Sequence, residues 1–236
     1  MRISRTRKGL TFLEVAIMIS IVAVFAILAL PAFRSTATKS VQTKALNNAK
    51  QIGFACNAFA TDNNGHFPAY VVVNGTASGI RISDYSNTAF DQLIPTYLST
   101  IQPFYLENSA WTPKRLADPS PATMAAGTSL PAGSNEWAYV AGLSDTSNSD
   151  FPLIADGFAD PKGHAYTMDQ TERGGVWKGR GPIVILCDDS AYIVKCDPWT
   201  HKVPGSPNGV DLFDTSGQPG WMSSTGTNAQ TVLNPR

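Results

Sequence analysis

The sequence predicts an α+β chain: a long N-terminal α-helix, membrane half plus amphipathic half, packed on a small antiparallel β-sheet head with long loops. Three observations carry that expectation. From Val15 to Phe33 no residue is charged, and from Val41 to Phe59 apolar residues recur every three or four positions. After Phe67 the helical spacing stops, and short β-branched and aromatic runs alternate with Pro, Gly, Ser, Thr and Asn. A chain of 236 residues is long enough for one domain with its own core plus an appendage.

The first element begins with MRISRTRKG, in which Arg2, Arg5, Arg7 and Lys8 precede Gly9. As a helix, Val15 to Phe33 would cover about 28 Å, close to the roughly 30 Å of a bilayer core. A secretory signal peptide has a shorter apolar region followed by a small-x-small cleavage site. Here Pro31 is followed by Ala32-Phe33-Arg34, with no such site. A plain membrane anchor fits the length but leaves Glu14 unexplained, because a charge near mid-span costs about 2.5–3.5 kcal/mol, less near the interface. The basic end stays cytoplasmic by the positive-inside rule, which sends everything after Phe33 across the membrane. Without its four leading basic residues the chain keeps 14 of its 18 Lys and Arg against 18 Asp and Glu, a net of −4. That balance argues against nucleic acid as a partner.

The run Lys8-Gly9-Leu10-Thr11-Phe12-Leu13-Glu14, followed by a long apolar helix containing Pro31, resembles the leader of type IV prepilins and type II secretion pseudopilins. The resemblance implies that a prepilin peptidase/methyltransferase cuts after Gly9 and methylates Leu10. Glu14 then becomes the fifth mature residue and Pro31 the twenty-second, where a helix bend is expected. The family usually has Phe in the first mature position, and this chain has Leu10. The implied organisation is a cytoplasmic leader at 1–9, a transmembrane and assembly helix at 10–33, its amphipathic continuation at 34–62, and a β-rich head at 63–236 with a flexible C-terminal tail.

The amphipathic part places Val41, Ala45, Ala49, Ile52, Cys56 and Phe59 on one stripe, with Lys39, Lys44 and Lys50 off it. Asp62-Asn63-Asn64-Gly65 and then Pro68 end the helix. One helix from about Leu10 to about Thr61 would reach about 78 Å. Gln51 to Gly53 and Asp62 to Pro68 also resemble the helix end of pseudopilin-like proteins.

In the head, strands are expected at Ala69–Val73, Trp137–Val140 and Phe151–Ala155, and a short helix and turn within Thr88–Leu98. Pro182–Cys187 and Ala191–Cys196 around an acidic turn predict a β-hairpin. With Asp189-Ser190 as the turn, Cys187 faces Tyr192 and Cys196 faces Ile183. The two sulfurs are then roughly 13 Å apart, beyond the about 7 Å limit between bridged Cα atoms. A looser loop or Cys56 as partner keeps the cysteine pairing open. Trp111–Asn135 reads as a surface loop, and Thr200–Arg236 as another that ends frayed.

Acidic residues cluster at Asp156/Asp160, Asp188/Asp189 and Asp211/Asp214. The loop from Asp211 to Gly217 offers oxygens to calcium. Major pseudopilins often hold calcium in a late loop, which makes Asp211 and Asp214 the metal candidates; capping of turns is the competing reading. His66, His164 and His201 lack zinc spacing. The glycines of Gly174–Gly181 do not lie between a strand and a helix, as a phosphate loop requires, and they read as turns. No nucleophile motif is present, so no catalytic residue is expected. Trp111, Trp137, Trp177, Trp199 and Trp221 fit either core packing or a glycan or partner surface.

Two functions follow. The first, implied by the resemblance, is a non-enzymatic filament subunit of a pilus or a secretion pseudopilus. Its partners are the peptidase, copies of itself or related subunits, an inner-membrane assembly platform and, before assembly, the lipid bilayer. Its head is exported, and Glu14 pairs with the Leu10 amine of a neighbouring subunit. The alternative is a membrane-anchored exported binding protein or hydrolase whose helix only tethers it.

Overall fold

The computed structural model describes Gly9 and residues 11–68, 72–73, 76–77, 85–125, 127, 129–225 and 229–236, without the side chains of 28–37, 72–73, 76–77 and 125. The chain divides into two compact units between Thr43 and Lys44. The first helix, α1, runs Phe12–Asp62 across that division.

A reciprocal pair of hydrogen bonds sets its start. The Glu14 N–H donates to Thr11 Oγ1 at 3.3 Å, and the Thr11 N–H donates to Glu14 Oε2 at 3.5 Å. This capping box satisfies two donors that the first turn would otherwise leave unpaired. From Phe12 to Ile27 the large apolar side chains stay largely exposed. Phe12, Leu13, Ile17, Met18, Ile19, Ile21, Val22, Val24, Phe25 and Ile27 are all at least half exposed.

The part of α1 in the second unit behaves differently. Ala45, Ala49, Ile52, Ala55, Cys56, Phe59 and Ala60 are buried, whereas Val41, in the first unit, is half-buried. The helix ends on the amides of Asn63 and Gly65, which donate to the Ala60 carbonyl at 3.0 and 2.8 Å, with Asn64 and Gly65 at positive φ. Gly53 lets the helix approach the sheet. A Cβ there would lie 3.2 Å from Ile185 Cγ2 and 3.0 Å from Asp189 Oδ1.

The sheet has five strands: β3 (Trp137–Ala141), β4 (Pro152–Asp156), β5 (Ile183–Leu186), β6 (Ala191–Ile193) and β7 (Thr231–Leu233). Their order is β6-β5-β4-β3-β7, with every neighbouring pair antiparallel. Every residue of β3 and β4 is buried, so the centre of the sheet is covered on both faces. A separate two-stranded ribbon joins β1 (Val72–Val73) to β2 (Thr76–Ala77). Short helices α2 (Ser86–Asp91) and α3 (Pro121–Ala125), with a 3-10 turn at Gln102–Phe104, fill the connections.

These findings correct the expected fold class. A long helix, half membrane and half amphipathic, packed on a sheet is not what folds. Among the described residues no helix is long and apolar enough to cross a membrane. The described side chains from Thr11 to Ile27 fall short of the roughly 20 apolar residues that a bilayer core asks of a helix. Only the part of α1 from Lys44 onward shares a unit with the sheet.

Three smaller expectations also change. The β5–β6 register pairs Ile183 with Ile193 and Val184 with Tyr192, so the turn is Cys187-Asp188-Asp189 with Asp189 at φ 64°. A three-residue turn whose last residue is left-handed is a common hairpin loop, and Asp189 takes that place. Trp111–Asn135 is no mere surface loop, because Trp111, Thr112, Leu130, Ser134 and Asn135 are buried. The supposed frayed tail supplies β7, and beyond it the Arg236 N–H donates to Asn87 Oδ1 at 2.9 Å.

Candidate functional site

The first candidate is the segment around Gly9. Gly9 is exposed, while Leu10 and the basic residues before it lie outside the described residues. Glu14 is exposed and already has one task, the capping box with Thr11. The motif S/T-x-x-E ahead of an apolar run was legible as such a box in the sequence. Pro31 falls within α1, but its side chain, and with it the expected bend, lies outside the described residues.

The calcium candidates are committed elsewhere. Asp211 Oδ2 sits 2.9 Å from His164 Nδ1 and 3.5 Å from Lys202 Nζ, and Oδ1 accepts the Phe213 N–H at 2.9 Å. Asp214 Oδ1 accepts the Ser216 N–H, while Oδ2 accepts from Asn208 Nδ2 at 2.7 Å and Gln218 Nε2 at 3.0 Å. The two carboxylates therefore organise their own loop. Among the described residues no group of three or more His, Cys, Asp or Glu could hold a metal ion. His164, isolated in the sequence, stacks near Phe158 and Phe213 beside Asp211. Of the other acids, Asp188 Oδ1 caps the Ser190 N–H, and Asp160 Oδ1 the Lys162 N–H.

A different acidic pair went unread in the sequence. Glu136 and Asp156 flank the β3–β4 pairing, where Trp137 faces Asp156 and the Gly157 N–H donates to the Glu136 carbonyl at 2.8 Å. Both side chains are fully buried. Ser109 Oγ donates to Glu136 Oε2, while Asp156 Oδ2 accepts from Trp177 Nε1 at 2.8 Å and the Ile183 N–H at 2.5 Å. Their remaining oxygens, Glu136 Oε1 and Asp156 Oδ1, have no partner. Burial pushes Asp156 up to about 7 against those donors. Burial, then the charge of Asp156, raises Glu136 well above the usual carboxylate range. In low dielectric two such neighbours cannot both ionise, so the pair holds at least one proton near neutrality. Because the pair is buried, its protonation bears on the stability of the sheet.

Cys56, Cys187 and Cys196 are free. Burial, followed by Asp188 and Asp189, pushes Cys187 up to about 12; burial, followed by Asp156 and Asp197, does the same to Cys196. These are neutral thiols, poorly suited to nucleophilic work. Of the tryptophans, Trp111 and Trp137 are core residues, whereas Trp199 is 90% exposed. No family model, curated protein or solved structure matches this chain.

Proposed function

We propose that the chain is a structural subunit of a type IV pilus-like or type II secretion pseudopilus filament, cut after Gly9 and N-methylated on Leu10 before assembly. The observation that carries this reading is the run Lys8-Gly9-Leu10 through Glu14, placed directly ahead of an apolar helical stretch whose large side chains from Phe12 to Ile27 are exposed. A helix that is apolar on every side needs lipid or other helices around it. In this reading lipid serves first, with the basic leader on the cytoplasmic side and the head exported, and copies or related subunits serve after assembly. Cleavage creates an ammonium at Leu10, and methylation keeps its charge. The exposed Glu14 carboxylate of one subunit then meets the Leu10 amine of another, which sets the axial register that apolar stripes alone would leave free to slide. The pairing also removes the cost of carrying an unpaired carboxylate into an apolar bundle.

Mass spectrometry of the N-terminus in the native host tests the reading. A chain that starts at methyl-Leu10 is the expected result. An intact Met1, or a cut beyond Pro31, would overturn it.

A further inference from the structure

Outside the acidic loops, the segment after β6 and the glycine-rich stretch before β5 enclose a cavity of about 440 Å³. Met168, Arg180, Lys195, Cys196, Pro198 and His201 line it. Backbone bonds pin its walls. The Tyr166 N–H donates to the His201 carbonyl at 3.1 Å, the His201 N–H to the Asp197 carbonyl at 2.9 Å, and the Val194 N–H to the Pro182 carbonyl at 2.9 Å. Gly179 sits at φ 59°, and a Cβ there would lie 3.3 Å from Met168 Sδ, so glycine keeps that wall thin.

The charges around the cavity are one-sided. Arg180 and Lys195 form no ion pair among the described residues; the pairs found there run from His164 and Lys202 to Asp211. No carboxylate lines the cavity. The adjacent Asp197 turns its Oδ1 onto its own loop, accepting the Trp199 and Thr200 N–H groups at 3.0 and 2.8 Å and the Thr200 hydroxyl at 3.0 Å. Asp156, the other acid near Cys196, is buried at the end of the central strand β4 and held by Trp177 and Ile183. Arg180 and Lys195 thus share the lining of the cavity with a thioether, a thiol and a proline ring. The size suits a small organic molecule, and the cations suit a carboxylate.

We infer that this cavity binds a small organic carboxylate with an apolar body of about aromatic-ring size, Arg180 and Lys195 taking the carboxylate while Met168, Cys196 and Pro198 pack the body. Inorganic phosphate lacks the body and benzyl alcohol lacks the charge, so neither should compete. The inference does not depend on filament assembly.

The test is an NMR titration of the full chain in detergent micelles with benzoate, inorganic phosphate and benzyl alcohol in turn. It follows the Met168 methyl and the Lys195, Cys196 and His201 amides, with the Met222 methyl, buried in the core, as a control of fold. Benzoate is expected to shift the cavity signals saturably at millimolar concentration and the other two probes at least about tenfold more weakly. The double variant Arg180→Gln/Lys195→Gln is expected to weaken benzoate by about tenfold or more while Met222 stays in place. Met168→Glu, at a half-exposed position, is expected to abolish binding by adding a negative charge. No saturation by benzoate below about 10 mM overturns the inference, as does binding untouched by either variant. Phosphate or benzyl alcohol binding as tightly as benzoate also overturns it.

Discussion

The two stretches of α1 share one secondary structure and solve opposite problems. From Phe12 to Ile27 large apolar side chains are exposed around the helix. From Lys44 to Asp62 a buried stripe built largely of alanine faces the core, with Gly53 against Ile185 of β5, while Phe54 stays exposed. Small residues bring a helix close to a sheet, whereas large ones all round leave the covering to other molecules. Helical propensity is satisfied in both stretches. What differs is how much apolar surface this chain itself buries: most of it in the second stretch, little of the large side chains from Phe12 to Ile27.

The sharpest way to break this comparison is Glu14→Ala. If the first stretch exists for association, this variant is expected to be inserted and cleaved normally yet to yield few or no filaments, or little secretion, by electron microscopy and secretion assay. Normal assembly would remove the distinction between the stretches. Next comes a paired substitution. Ile52→Ala empties a fully buried site and is expected to destabilise the second unit by about 2–5 kcal/mol, whereas Ile17→Ala should change its urea midpoint by less than about 0.5 kcal/mol equivalent. Tryptophan fluorescence reads both, since all five tryptophans follow Lys44.

The third expectation concerns the sheet that the second stretch covers. Asp156 is raised to about 7 and Glu136 is raised as well, so the folded state binds more protons than the unfolded chain. The stability contributed by these groups is full below the unfolded carboxylate range, about pH 4, and is lost as pH rises through about 7. The loss between about pH 4 and pH 8 is expected to be on the order of 3 kcal/mol, and Asp156→Asn should remove most of that slope in denaturant titrations. A flat wild-type profile would show that the pair does not share a proton. The smallest effect belongs to the cap. Thr11→Ala is expected to weaken the first turn by about 1 kcal/mol, read as faster amide exchange near Phe12 with no change in the second unit.

Much of this layout could be read along the chain. The stripe from Ala45 to Phe59, the stop at Asn63-Asn64-Gly65 and the cores of β3, β4 and β5 depend on local periodicity and turn chemistry, which sequence carries directly. The β5–β6 register differs from the expected one because Asp188-Asp189-Ser190 permits turns of two or three residues, and the choice is made by how the two strands pair. The C-terminal segment was misread because its polar composition hides Thr231–Leu233, a three-residue strand that needs β3 as a template. The burial of Glu136 beside Asp156 was invisible for a similar reason: nothing near it in sequence signals that β3 and β4 will pair there.

The sequence by itself determined where the helix begins and ends, that its first stretch is apolar all round, and that Glu14 stands at its head behind Gly9. These are properties of neighbouring residues, and short-range physics suffices to read them. Only the tertiary structure decided that Asp211 would pair with His164 and Lys202, that Glu136 and Asp156 would be buried together, and that Arg180 and Lys195 would line one cavity with Met168. Each of those depends on bringing distant segments within a few ångströms, and long-range contacts leave no periodic trace along the chain.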